Sequence, residues 1–263
     1  MIPDEVGSAL AALRERRPDA RFDVRWHRSA PSTMDLASAL AQDGAPHGAV
    51  VAAEEQTAGR GRRGTAWSSP PGAGLYFSFI ARPGHPGEGL AATALVTLAA
   101  GVAVRDGVAS ATGLAADLKW PNDLIVGRRK LAGILAEGIA IGTPGQAVII
   151  GVGVNAAPAA YPPEVAARAT SLEGELGRPV DRGLLFVEIL MALSDRLARL
   201  EQSPGDILQA WREASPSASG TRVEWEGHHG VTAGIDDRGA LMVRTPAGVE
   251  RIISGELRWH LAP

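Results

Sequence analysis

Apolar positions along this chain change their spacing repeatedly, and each change marks an element. A short helix is predicted over Ser8 to Arg17, followed by an extended strand over Arg21 to Trp26. Ser32-Thr33-Met34-Asp35 has the character of a helix start, with the Ser32 hydroxyl accepting from the N3 amide and Asp35 at the positive end of the dipole. That helix runs to about Gln42 and stops at Asp43-Gly44. Gly48 to Ala53 and Leu75 to Ile80 are compact apolar runs of strand length. The stretch between them is rich in glycine, proline and arginine, and a loop of that length inside a domain is usually functional or mobile.

Farther on, apolar residues at 90, 94, 95, 98 and 102 predict a helix over Leu90 to Val108 with a small-residue face. Short strands follow at Leu118 to Trp120, Leu124 to Val126, Leu131 to Glu137 and Ala147 to Val154, with a hairpin around Gly127-Arg128-Arg129. A proline-rich segment (Pro158, Pro162, Pro163) leads into helices near Glu164 to Ala169, Leu184 to Gln202 and Asp206 to Glu213. Composition shifts at Ser215 to Gly220, which reads as a linker. Beyond it, four or five short strands with turns at Gly227 to Gly230, Asp236 to Gly239 and Pro246 to Gly248 predict a small antiparallel barrel. The expected division is residues 1–217 and 218–263.

Composition narrows the function classes. With 45% hydrophobic and 21% charged residues, the 263-residue chain is ordinary for a soluble globular protein. A formal charge of −3 and a pI near 6.1 argue against a dedicated nucleic-acid binder, whose affinity rests on many neutralised phosphates. The absence of cysteine excludes disulfides, thiolate zinc sites and a cysteine nucleophile. The histidines (His27, His47, His85, His228, His229, His260) form no pair at metal-ligand spacing on a predicted helix, and His228-His229 reads as a solvated turn. No signal peptide is evident, and the uncharged run Gly89 to Val104 is shorter than the roughly 20 residues a membrane span needs. A cytoplasmic protein without nucleic-acid or membrane partners is expected.

The run GRGRRG (59–64) spells G-x-G-x-x-G, yet a dinucleotide turn needs a helix to open at its third glycine. TAWSSPPGAG follows instead, which removes that reading. No Walker loop occurs. Glu54 and Glu55 precede the arginines and no aromatic residues interleave with them, so a nucleic-acid patch is also disfavoured. Against a merely solvated loop stands the density of glycine and arginine. Glycine admits backbone amides to an anion, and guanidinium groups grip phosphate or carboxylate with paired bonds. A loop closing over an anionic ligand fits both.

Taken together, EEQTAGRGRRGTAWSSPPGAGLYFSF (54–79), KWPNDLIVGRRKLAGILAE (119–137) and GVGVN (151–155) closely resemble the biotin protein ligases, also called biotin–[acetyl-CoA-carboxylase] ligases. The tail VTAGIDDRGALMVRTPAGVERIISGEL (231–257) resembles that family's SH3-like C-terminal domain. The resemblance implies an α+β fold, a mixed β-sheet flanked by helices like the class II aminoacyl-tRNA synthetase core, with a small SH3-like barrel at the C-terminus. It implies that biotin's carboxylate attacks the α-phosphate of MgATP, giving biotinyl-5′-AMP, and that a lysine of a biotin carboxyl carrier domain of an acyl-CoA carboxylase then takes the acyl group. Biotin and MgATP are substrates, and no tightly bound redox cofactor is implied.

Matching motif to motif, the catalytic residues are Arg60, Arg62 and Lys130. Biotin is met by Ser32, Thr33, Gln56, Gly59, Arg60, Gly61, Lys130 and Gly133. The nucleotide is met by Arg62, Arg63, Trp67, Asn122, Lys130 and Asn155, with Asp123 helping to hold Mg²⁺. Residues 59–72 then form a lid over a labile anhydride. Met34 and Thr65 depart from the family's usual Asn and Arg. A repressor role is not expected, because about 23 residues precede the core, too few for a helix-turn-helix reader. A lipoate ligase or a non-catalytic biotin-binding regulator are the competing readings, and monomer and homodimer both remain open.

Overall fold

Seven strands form one sheet in the computed structural model, which describes residues 1–82, 89–159, 161, 163–255 and 257–260. Of the positions singled out above, His85, Pro162 and Glu256 lie outside the described residues. The strands are β1 (Asp23–His27), β2 (Ala49–Ala53), β3 (Gly74–Ala81), β4 (Asp117–Lys119), β5 (Asp123–Val126), β6 (Arg129–Ile139) and β7 (Ala147–Asn155), in the order β1-β2-β3-β7-β6-β5-β4. β1 and β2 run parallel and the other neighbours antiparallel, so the sheet is mixed, as expected.

Alternation along these strands sends their residues to two different environments. On one face, Val50, Ala52, Phe77, Phe79, Val148, Ile150, Val152 and Val154 join the main core. Helices α1 (Asp4–Arg16), α3 (Gly89–Thr112), α6 (Arg182–Gln202) and α7 (Pro204–Ala214) contribute Leu10, Ala103, Phe186, Ile189 and Trp211 to that core. The other face is thinner. There α2 (Thr33–Gln42) packs Met34, Ala37 and Ala41 on Val51, Ile80 and Ile149. Thus GVGVN places its valines in the core and turns Gly151 and Gly153 to the α2 side.

Several expectations needed correction. The Ser32 hydroxyl makes no capping bond, and the first amide of α2, Thr33 N, donates instead to Gln56 Oε1 at 2.8 Å. The strand expected to include Trp120 ends at Lys119, where Pro121 can supply no amide to a ladder. The helix expected over Glu164 to Ala169 is one turn, α4 (Pro163–Ala166). The chain then leaves the helix to run beside β6, Lys130 N donating to Arg168 O at 2.7 Å and Thr170 N to Lys130 O at 2.9 Å. A further helix, α5 (Leu172–Leu176), is capped by Ser171 and closed by Gly177 in the left-handed conformation. α3 extends beyond the predicted span, and its stretch Thr93–Thr112 is long and apolar enough to cross a membrane, but it packs against α6 as a core helix.

The segment read as a linker is packed. Ser215, Ser217 and Ala218 are buried, and the turn Pro216–Ala218 lies against β4 and α7, so its small residues serve close approach. After it, β8 (Ser219–Trp225), β9 (His228–Ile235), β10 (Leu241–Thr245), β11 (Gly248–Ile252) and β12 (Arg258–His260) form an antiparallel SH3-like sheet in the order β11-β10-β9-β8-β12. His228 and His229 belong to β9; the turn is Glu226-Gly227, whose positive φ values (47° and 82°) suit a tight hairpin.

The barrel is clamped to the larger sheet through one turn. Trp120 Nε1 donates to Gly239 O at 3.0 Å, and Arg212 donates to Ile235 O at 3.1 Å. Asp236 organises that turn by accepting from the Arg238 and Ala240 amides and from Arg251. Burial pushes the Asp236 carboxyl up, but those three donors together hold it below its usual range. A carboxyl depressed in the folded state contributes stability that is present above about pH 4 and lost as pH falls below it. Asp236→Asn is therefore expected to cost about 1 kcal/mol at pH 7 and to flatten the fall in melting temperature below pH 4. Parallel acid melting curves for variant and wild type would exclude this role.

Candidate active site

The α2 side of the sheet is floored by residues without bulk. Ser78 on β3, Gly151 and Gly153 on β7 and Gly133 on β6 occupy it. The Trp67 indole lies on this floor: a Cβ added at Gly133 or Gly153 would stand 2.8 Å or 2.5 Å from its ring atoms. Both positions are glycine because of that approach. Met34, one of the departures, packs its sulfur over Gly151 and leaves the start of α2 unchanged.

A directed chain of hydrogen bonds begins where α2 meets the floor. The Thr33 backbone N–H donates to Gln56 Oε1, which fixes that atom as the amide oxygen. Thr33 Oγ1 gives its own proton to the same oxygen at 3.1 Å and therefore accepts from Ser78 Oγ at 2.9 Å. Gln56 Nε2 donates onward to Ser69 Oγ at 2.8 Å. Beside Thr33, the fully buried Ser32 hydroxyl has no protein partner. A buried hydroxyl in that state is available to a ligand.

Residues 59–67 form a small hairpin over the floor. Trp67 N donates to Gly59 O at 2.9 Å, Gly61 N donates to Thr65 O at 2.7 Å, and Arg60 bridges Ala66. Its tip is a single 3-10 turn, Arg62–Gly64, with no α-helix opening after Gly64. Thr65, the second departure, closes that tip by donating from Oγ1 to Arg62 O at 2.8 Å. The arginines differ in their surroundings. Arg60 is bound by Glu137 and Asp35. Arg63 holds the left-handed backbone of the tip at φ 54°. Arg62 has no hydrogen bond or ion pair among the described residues; burial lowers its pKa, Asp123 opposes that, and Arg63 adds to it. A guanidinium remains charged under such a shift, so Arg62 is a half-buried cation without a carboxylate partner.

Next to this cation, Lys130 Nζ lies 2.5 Å from Asp123 Oδ1 and 5.2 Å from the Trp67 ring centroid. Lys119 Nζ reaches Asp123 Oδ2 at 3.4 Å. Asn122 and Asn155 use amide protons within the protein. Asn122 donates to Ile134 O at 2.7 Å, and Asn155 to Thr170 O at 2.9 Å and Lys130 O at 3.3 Å. Both thereby brace the strands on either side of Lys130. The cleft enclosing these groups measures about 1630 Å³ and extends to Trp225, Trp259 and His260 of the barrel. That exceeds the roughly 300–1,000 Å³ of one small-molecule pocket, leaving room for two substrates.

The cleft is lined by Thr33, Gln56, Arg60, Gly61, Arg62, Arg63, Trp67, Asn122, Asp123, Lys130, Gly133 and Asn155 of the residues expected at the site, while Ser32 and Gly59 are not in its lining. The structure adds Glu137, Asp35, Ser69, Ser78 and Lys119, which sequence reasoning missed. A signal for Glu137 exists: counting by twos from Gly133 along β6 puts its charge on the glycine face. Ser78 shares that face by the same count from Ile80, whereas Ser69 and Lys119 carry no comparable mark.

A glycine floor beside a lysine and an arginine that has no ion pair among the described residues is a cleft suited to anionic ligands. The Biotin/lipoate A/B protein ligase family is matched over residues 26–155, and the Biotin protein ligase C terminal domain over residues 228–257. The biotin–[acetyl-CoA-carboxylase] ligase of Paracoccus denitrificans is 38% identical over 80% of this chain and 89% of its own. The bifunctional ligase/repressor BirA of Bacillus subtilis is 35% identical over 88% of this chain and 72% of its own. The solved biotin protein ligase of Aquifex aeolicus, in complex with biotin and ATP, superposes with a TM-score of 0.77 at 27% identity, covering 91% of this chain and 99% of that one. The chain belongs to the biotin protein ligase family.

Proposed function

We infer that this protein is an ATP-dependent ligase that activates biotin as biotinyl-5′-AMP and transfers it to a lysine of a biotin carboxyl carrier domain. Residues 1–217 carry the chemistry and residues 218–263 the barrel. The observation that carries the reading is the continuity of the cleft lining from Thr33 and Gln56, through Gly61 and Trp67, to Lys130 and Asp123. A cyclic urea has two N–H donors and one carbonyl acceptor. Thr33 Oγ1, having given away its proton, offers only a lone pair, and the Ser32 hydroxyl can donate. The acyl chain crosses the glycine floor against Trp67.

At the far end, the biotin carboxylate and the α-phosphate meet between Lys130 and Arg62, whose charges offset their mutual repulsion. A carboxylate oxygen bonds to the α-phosphorus as the bond to pyrophosphate breaks. The carrier lysine, as the free amine, next bonds to the acyl carbon, AMP leaves, and the amine loses a proton. Asp123, which here pairs with Lys119 and Lys130, would be the residue to help hold the Mg²⁺ of MgATP, an ion that usually takes only one or two protein carboxylates. Asn122 and Asn155 contribute through the strands they brace, with Arg63 and Trp67 at the nucleotide. Acyl-CoA carboxylases in the cytoplasm supply the carrier in this reading.

Incubation with biotin, MgATP and a carrier domain, followed by intact mass of the carrier, tests the reading. A gain of one biotin is expected, blocked by excess desthiobiotin and untouched by lipoate. No gain beside an active control ligase would overturn it.

A further inference from the structure

Arg60 belongs to the motif that drew attention to the loop, yet its guanidinium is fully engaged within the protein. Its NH1 donates to Glu137 Oε1 at 3.1 Å and its NH2 to Glu137 Oε2 at 2.9 Å, a parallel two-bond fork. The same NH2 stands 3.0 Å from Asp35 Oδ1. Glu137 sits on β6 and Asp35 in the first turn of α2, so one side chain of the hairpin grips both walls of the cleft.

We propose that Glu137 and Asp35 are positioning residues, which hold Arg60 in a carboxylate–guanidinium–carboxylate clasp and so seat the lid hairpin on the substrate. Successive residues of an extended segment point to opposite sides. Anchoring the Arg60 side chain on Glu137 and Asp35 therefore fixes how its neighbours Gly59 and Gly61 present their backbone. Gly59 has no freedom beyond that: a Cβ there would stand 2.5 Å from Trp67 O and 3.1 Å from Gln56 Nε2. The clasp therefore sets the base of the hairpin against the Thr33–Gln56 chain, and the tip carries Arg62 toward Asp123 from that base. Single exposed ion pairs contribute little. This one combines a bidentate fork with a second carboxylate, so its strength comes from geometry, the side chains being 38%, 37% and 59% exposed for Arg60, Glu137 and Asp35. Arg60 then acts through its backbone neighbours, and Glu137 becomes as necessary as Arg60.

The proposal rests on the biotin-ligase reading, and the test separates the two. Biotin KM, ATP KM and the rate at which preformed biotinyl-adenylate escapes are measured for wild type, Glu137→Gln, Asp35→Asn, Arg60→Met and the Arg60→Met/Glu137→Gln double variant, with melting temperatures alongside. Expected are a rise of about tenfold in adenylate escape and in biotin KM for Glu137→Gln, a smaller rise for Asp35→Asn, and little movement of ATP KM. The double variant should be no worse than Arg60→Met, because both changes break one device. Salt provides a readout that a packing role would not move: raising it from about 0.05 to 0.5 M should speed escape in wild type more than in Glu137→Gln. Additive losses in the double variant, or Glu137→Gln behaving as wild type while Arg60→Met fails, would overturn the clasp and return Arg60 to direct substrate contact. A wild-type enzyme that forms no adenylate would overturn the ligase reading and the clasp with it.

Discussion

Lys130→Ala should slow biotinyl-adenylate formation by about 10²–10³-fold, the usual loss when a preorganised charge-stabilising donor is removed. The Lys130 ammonium stands 2.5 Å from Asp123 and 5.2 Å from the Trp67 centroid, where the carboxylate and phosphate are proposed to meet. The cost to the fold should stay under about 1 kcal/mol, because the side chain is 35% exposed and its salt bridge partner retains Lys119. The bonds that place Lys130 between β6 and residues 168–170 run through its backbone and survive the substitution. Pyrophosphate release at saturating biotin and MgATP, with melting temperature as the control, measures both halves. Wild-type turnover in a folded variant would remove Lys130 from the chemistry. Lys130→Arg should rescue poorly, since a planar guanidinium presents its charge and donors in a different geometry from the compact ammonium.

Arg62→Gly should release the adenylate before transfer, raising its escape about 10–100-fold, the equivalent of one or two charge-assisted hydrogen bonds. Arg62 is half-buried beside Asp123 and lacks a carboxylate partner, so its charge is reserved for something the protein itself does not provide. Escaped anhydride acylates whatever amines it meets. A reaction containing carrier and a bystander protein should therefore show label on both with the variant and on carrier alone with wild type. Strict carrier labelling by Arg62→Gly would argue that the tip does not retain the intermediate. Compared with the clasp variants, the chemistry step should also slow, because Arg62 is proposed to face the phosphate and Glu137 is not.

How far the sequence led differs between elements. Strands β2 and β3 were plain because each is a compact apolar run, and GVGVN was plain because its alternation separates glycine from valine. Helix α4 was overestimated: Lys130 draws residues 168–170 into strand-like pairing, a tertiary contact that local spacing does not encode. Ser32 gave the right location for the wrong local reason. Its side chain looked like a cap, but it makes no capping bond and its hydroxyl has no partner among the described residues. The Ser215 to Gly220 segment misled because small residues are shared by solvated linkers and tight packing joints. The site's arginines were visible as a cluster, but the division between Arg60, bound to carboxylates, and Arg62, bound to none, depends on Glu137 and Asp35 approaching from two other elements.

The glycine floor has a consequence for how this site could be altered. Gly133, Gly151 and Gly153 already present bare backbone to Trp67 and Met34, so no substitution there can remove another atom. Change at the floor runs in one direction: every mutation shortens or narrows the channel. Any side chain added there meets Trp67 at Gly133 or Gly153 and Met34 at Gly151, and selection for a bulkier acyl chain must likewise move Trp67 or the hairpin that carries it. A library built to broaden the substrate range should leave the floor untouched and randomise the lid.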